Sequence, residues 1–338
     1  MKIINNKSLK NYNTCNIEVS CNHFIELNND KDFIDFIHYY PNTKLPIYFL
    51  GLGANTLFTR DFKGSIVHIN NKGIDPISED NDYVIIKVQA GEIWDDFVNY
   101  CVKNNYYGAE NLVSIPSTVG ATPIQNIGAY GSEAKDIIFE VVYYDLKKLS
   151  LKVLSNAECN FSYRNSIFKQ DLKNNFLIKE VLYKLSKKPS FNLTYGAIES
   201  ELKKKGINEP KLPDIVNIIS NIRNNKLPDY TKNGNAGSFF KNPIISINKF
   251  NKLKLSYPEI VSYPINENHI KIAAAWLIDN ADLKSFSIGG ASVHNKQALV
   301  LINQNKASGE DFKNLSLHIQ KIVKEKYGIL LIPEVIIL

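Results

Sequence analysis

An apolar stretch, Leu45 to Leu50, runs directly into Gly51-Leu52-Gly53-Ala54-Asn55-Thr56. A strand that ends in a glycine turn lets backbone N–H groups approach a pyrophosphate closely. The ordinary doubly wound dinucleotide fold needs a third glycine in this turn, and the chain has none. The loop is therefore either a plain turn or a phosphate cradle of another fold.

The chain must build more than one core, because 338 residues exceed a single average domain. Hydrophobic content of 44% and 35 Tyr and Phe together supply the material. No apolar run approaches 18 residues and the first residues carry no signal-like stretch, so a soluble cytoplasmic protein without membrane partners is expected. Cys15, Cys21, Cys101 and Cys159 show neither CxxC spacing nor paired histidines, which predicts reduced structural thiols and no metal. The net charge of +6 comes from lysine, since Arg60, Arg164 and Arg223 are the only arginines among 40 basic residues. Lysine pairs without interleaved aromatics read as solvated surface rather than a nucleic-acid groove, although a phosphorylated small molecule would profit from the same field.

Asp30 is the expected cap of a helix with Phe33, Ile34 and Ile37 on one face. Strands are predicted at 65–70 and 83–90, followed by a helix carrying Trp94, Phe97, Val98, Cys101 and Val102. Residues 138–144 and 176–185 have strand composition. A helix with Ile215, Ile218, Ile219 and Ile222 follows a polar stretch. Further helices are expected at 272–280 and at 310–327 before Gly328, and a strand at 334–338.

Four segments carry chemistry. Ser114 to Gly131 holds three glycines and two prolines, the composition of backbone wrapped around a ligand or of a long ordered loop. Arg164 sits among aromatics in Phe161-Ser-Tyr163-Arg164-Asn-Ser-Ile-Phe168, placed either to grip a carboxylate or to form a structural ion pair. Asn233-Gly-Asn-Ala-Gly237-Ser238-Phe-Phe-Lys241-Asn242-Pro243 presents a serine outside any Gly-x-Ser-x-Gly elbow, so its hydroxyl is a candidate proton donor rather than a nucleophile. Pro333-Glu334 opens the last strand, where the carboxyl either faces a ligand or caps the surface.

Together these segments, with Leu193-Thr-Tyr195-Gly, Lys226-Leu-Pro-Asp229, Ala274 to Asp279 and Ile288 to His294, resemble the UDP-N-acetylenolpyruvoylglucosamine reductase family over nearly the whole chain. The insertion carrying Tyr195 is similar to the branch in which a tyrosine loop covers the sugar nucleotide. The resemblance implies an α+β protein: an FAD-binding fold of the vanillyl-alcohol-oxidase type in two subdomains (1–73 and 74–212), an α+β substrate domain (213–328) and a C-terminal strand (329–338) returning to the site. It implies noncovalent FAD on Gly51, Gly53, Ala54, Asn55, Thr56, Ile115, Pro116, Gly120, Thr122 and Gly128, with NADPH as co-substrate. By the same resemblance Arg164 and Glu334 meet the substrate carboxylate, Ser238 gives the proton, Tyr195, Lys226 and Asn242 bind the UDP end, and Tyr130 and Tyr163 line the site. Ala54 stands where a serine is usual, Ser117 where a glycine is, and Cys15 where phenylalanine is common. Ile336 replaces an arginine that many members carry. The competing classes are an FAD oxidase of the same fold and a nucleotide-sugar binding protein without catalysis.

Overall fold

A computed structural model describes residues 1–193 and 196–338, which fall into two compact units. The first comprises 1–7, 22–52 and 63–223, and the second 8–21, 53–62 and 224–338.

Unit 1 is built on two sheets. In the four-stranded sheet the order is Lys2–Ser8, Ser20–Leu27, Phe62–Ile69, Ile47–Leu50. Its last pair is parallel, with Ile47 opposite Ser65. The five-stranded sheet is antiparallel, in the order Ser150–Ser155, Ile138–Asp145, Phe176–Ser186, Tyr83–Gln89, Ile74–Glu79. Val84, Ile86 and Val88 alternate inward, as a half-buried strand requires. The helix Trp94–Lys103 lays Trp94, Phe97, Val98 and Cys101 into the core, and the Trp94 indole N–H is satisfied by the Leu112 carbonyl at 2.8 Å. Both sheets share one hydrophobic core. Leu212–Lys226 forms the expected helix, and its Ile215, Val216, Ile218 and Ile219 belong to that same core.

In the helix Asp30–Tyr39 the cap is Asn29, whose side chain accepts from Asp32 N–H; Asp30 is already helical. The inward face is Phe33, Phe36 and Ile37, while Ile34 is 49% exposed. The hydrophobic stripe is thus rotated by about one position from the expected one.

Unit 2 carries a sheet ordered Asn235–Ser238, Val300–Asn303, Ala291–Val293, Ser287–Ile288, and a smaller one ordered Ile244–Ser246, His269–Ile272, Ser262–Pro264. The stretch expected as helix from 272 begins two residues later, at Ala274–Asp279, because His269–Ile272 is taken by the smaller sheet. Gly309–Tyr327 is helical, opened by a reciprocal Ser308–Asp311 capping box and closed by Gly328 at φ +64°. Residues Ile336–Ile337 pair in parallel with Thr56–Leu57. No helix among the described residues is long and apolar enough to cross a membrane.

Candidate active site

In unit 1 the glycine turn after Leu50 meets the Ser114–Gly131 segment. A Cβ on Gly51 would overlap the Thr118 hydroxyl, and one on Gly120 would come within 2.7 Å of Ala90 Cβ. Only glycine permits these two approaches. Hydrogen bonds fold the second loop onto the core: Val119 N–H reaches Glu92 O at 2.9 Å, Gly120 N–H reaches Ala90 O at 2.8 Å, and Thr122 N–H reaches Val119 O at 3.0 Å. Thr122 Oγ1 pairs with the hydroxyl of buried Tyr183 at 2.7 Å. Gly120 and Thr122 therefore shape the loop, with their backbone donors already used. The first glycine turn thus packs against the Thr118 side chain of the second loop, and Gly120 packs against Ala90.

Arg164 adopts φ +54°, a conformation few non-glycine residues hold. Its Nη2 donates to Gly128 O at 3.1 Å, and the guanidinium stands 5.8 Å from the centre of the Tyr163 ring. Lys169 Nζ donates to the Arg164 carbonyl at 3.4 Å. Tyr130, at φ +48°, is fixed through its own carbonyl by Asn111 Nδ2 at 2.8 Å. The structure thus gathers Gly128, Tyr130, Tyr163 and Arg164. Beside them lies Arg223, which sequence reasoning did not assign. Its Nε donates to Ser114 O at 3.2 Å. Burial lowers the Arg223 guanidinium's pKa and nearby Arg164 adds to this, while Tyr130 and Asp95 oppose it. The scarcity of arginine was the available signal: two of only three converge here.

In unit 2 Ser238 is exposed and follows Gly237, which has φ +67° and open space around it. The next two side chains, Phe239 and Phe240, are 1% exposed each, and Gly237 N–H is held by Asn235 Oδ1 at 2.9 Å. Anchors on both sides therefore present the hydroxyl outward. The Pro333-Glu334 segment lies against this strand: Phe240 bridges Pro333, Lys241 N–H reaches Ile332 O at 2.9 Å, and Glu334 N–H reaches Phe239 O at 2.8 Å. Glu334 is thereby set opposite Phe239, one position from Ser238. On its other side Asn55 Nδ2 donates to Glu334 O at 3.3 Å and Ile336 N–H to Asn55 O at 3.0 Å. The Gly53–Thr56 end of the first glycine loop and the glutamate are parts of one hydrogen-bonded ladder. Ile336 is 44% exposed in that ladder.

Asn242 Oδ1 accepts from Ala274 N–H at 2.9 Å, at the start of the helix Ala274–Asp279, so its NH2 is what it has to offer a ligand. Lys226 ends its helix exposed. Tyr195 lies outside the described residues.

Comparison with known proteins gives these features a context. The model for the C-terminal domain of UDP-N-acetylenolpyruvoylglucosamine reductase matches residues 229–338, and that for an FAD binding domain matches 22–145. A reductase of that name from Flavobacterium johnsoniae is 43% identical over 336 residues, covering 99% of each chain. One from Aliivibrio fischeri is 44% identical over 338 residues, covering 99% of this chain and 94% of its own. Among solved structures, the reductase from Thermus caldophilus matches with a TM-score of 0.69 at 19% identity over 99% of this chain and 98% of its own. p-Cresol methylhydroxylase matches with a TM-score of 0.50 at 10% identity, covering 94% and 82%. The last two show the fold alone, an α+β architecture of the vanillyl-alcohol-oxidase type. With full-length identity above 40%, a matching FAD-binding domain and a matching C-terminal domain, the chain belongs to the UDP-N-acetylenolpyruvoylglucosamine reductase family.

Proposed function

We propose that this chain reduces UDP-N-acetylglucosamine enolpyruvate to UDP-N-acetylmuramate in the cytoplasm, with noncovalent FAD recharged by NADPH. The observation that carries the proposal is the ladder that sets Glu334 one position from the outward hydroxyl of Ser238. Bound FAD supplies the hydride, so the protein's task is to bind, orient and protonate. The residues that would hold it are Gly51 to Thr56, together with Ile115, Pro116 and the loop that Gly120, Thr122 and Gly128 shape. Arg164, preset by Gly128 O and the Tyr163 ring, takes the substrate carboxylate. Charge that develops there meets a donor already in place, which lowers the barrier without reorganisation. Glu334 fixes the acid end as a neutral carboxyl that donates a hydrogen bond to the substrate carboxylate, and Ser238 delivers the proton to the carbon beside that carboxylate. Tyr130 and Tyr163 line this end, while Lys226, Asn242 and Tyr195 hold the UDP. The three-part division at 73 and 212 belongs to the same reading.

Ser238→Ala tests the proposal. Rapid mixing should show reduction by NADPH and FAD content nearly unchanged, and flavin reoxidation by the enolpyruvyl sugar slowed by about a hundredfold or more. Ser238→Cys should recover part of the loss, because a thiol can still give a proton from the same place. Reoxidation of the alanine variant at the wild-type rate would remove Ser238 from the chemistry.

A further inference from the structure

Among the described residues, six that are neither glycine, asparagine nor aspartate hold φ in the left-handed region: Ser114, Tyr130, Leu149, Arg164, Ser285 and Lys306. Backbone held so at a cost clusters where geometry is functional. Three of the six, Ser114, Tyr130 and Arg164, surround a single side chain, that of Arg223. Its Nε donates to the Ser114 carbonyl at 3.2 Å, it is hydrogen bonded to Tyr130, and it feels the charge of Arg164. Ser114 is held in turn by Asp95 Oδ1, 2.6 Å from its N–H, and by Ser220 Oγ at 3.2 Å, one turn before Arg223 on the same helix. Two guanidinium groups against the single carboxylate of Asp95 leave the cluster positive, and a guanidinium stays ionised even when burial lowers its pKa. Like charges kept together in a partly buried place are unfavourable by themselves and favourable once an anion joins them.

We propose that Arg223 is a positioning residue of the carboxylate site: it fixes the Tyr130 hydroxyl and adds a second positive charge to the field that Arg164 presents to the substrate. The inference rests on the reading of the function given above. The bland alternative is a brace that ties the helix Leu212–Lys226 to the Ser114 turn.

The experiment uses the full-length holoenzyme, reduced with NADPH and then mixed with the enolpyruvyl sugar at several salt concentrations. Wild-type protein must be reoxidised by that substrate, and its failure to be so would dispose of the proposed function itself, whatever Arg223 does. Arg223→Gln that retains FAD is expected to need about tenfold more substrate for half-maximal reoxidation, the scale of one charge-assisted hydrogen bond. Its reduction by NADPH should stay within about twofold of wild type. The salt dependence of the half-saturating concentration should flatten in Arg223→Gln and persist in Arg223→Lys, which keeps the charge. Wild-type half-saturation and an unchanged salt dependence in Arg223→Gln would overturn the proposal, since a mere brace predicts both. Should Arg223→Gln fail to retain FAD, the cycle of Arg223→Lys and Tyr130→Phe decides. A double variant no worse than the poorer single one supports a shared function, and independent, multiplying losses overturn it.

Discussion

The left-handed backbone at Arg164 and the outward hydroxyl at Ser238 are settled by neighbours that lie close in sequence, Gly128 excepted, and for that reason both residues could be singled out from their motifs alone. Arg223 could not be. Its partners Ser114 and Tyr130 are about a hundred positions away, and only the fold brings them to it. The cysteines were legible as reduced structural thiols because they show neither CxxC spacing nor paired histidines nearby. All four are buried, and burial pushes the thiols of Cys15 and Cys159 up to about 12 and that of Cys101 well above its ordinary value. At pH 8 the native protein should therefore react with almost no equivalents of an aromatic disulfide reagent, and the denatured protein with four. Rapid labelling of one thiol under native conditions would show that its burial is not maintained.

At the scale of elements, hydrophobic periodicity located five helices and several main strands, misread two ends, and left unmarked the helices Gly196–Lys204 and Ile247–Ser256 and the strands Lys2–Ser8 and Ser20–Leu27, whose sequences carry little regular apolar pattern. Asn29 won the cap over Asp30 because its extended backbone lets the side chain reach Asp32 N–H, a choice that a run of Asn-Asn-Asp leaves undetermined. The start of the helix at Ala274 was hidden because the preceding His269–Ile272 is paired to strands on both sides, a tertiary fact. The capping box on Gly309–Tyr327 offers a test. A Cβ on Gly309 would collide with the Phe58 carbonyl and lie 2.6 Å from Thr59 Cα, so backbone must shift to admit it. Gly309→Ala is expected to cost about 1–3 kcal/mol by chemical denaturation despite alanine's better helix propensity. Ser308→Ala, which removes the cap alone, should cost about 1 kcal/mol. A stabilised Gly309→Ala variant would mean that the helix does not approach Phe58 as described.

For the whole molecule, acid sensitivity follows from half-buried imidazoles. Burial lowers the pKa of His68, against an opposing Glu26 3.3 Å away, and burial also lowers that of His294. Unfolding returns each to an ordinary value of about 6.5. Below that pH the unfolded chain takes up protons that the folded chain refuses, so stability is present at pH 7 and is lost as pH falls toward 5. The melting temperature should drop across this window, and His68→Gln should make the drop smaller; an equal drop in both would assign it to other groups. One feature also governs how the molecule comes to be made. Unit 1 takes most of its residues from the uninterrupted stretch 63–223, but the ladder in unit 2 joins Asn55 to Glu334 and Thr59 to Leu338, each across 279 positions. On the ribosome the first unit can close while synthesis continues, whereas residues 53–62 must wait, without their final partners, until the last strand has emerged. Nascent chains halted before residue 330 should thus already resist protease over 63–223 and remain cleavable near residue 57, placing assembly of the Glu334 ladder at the end of translation.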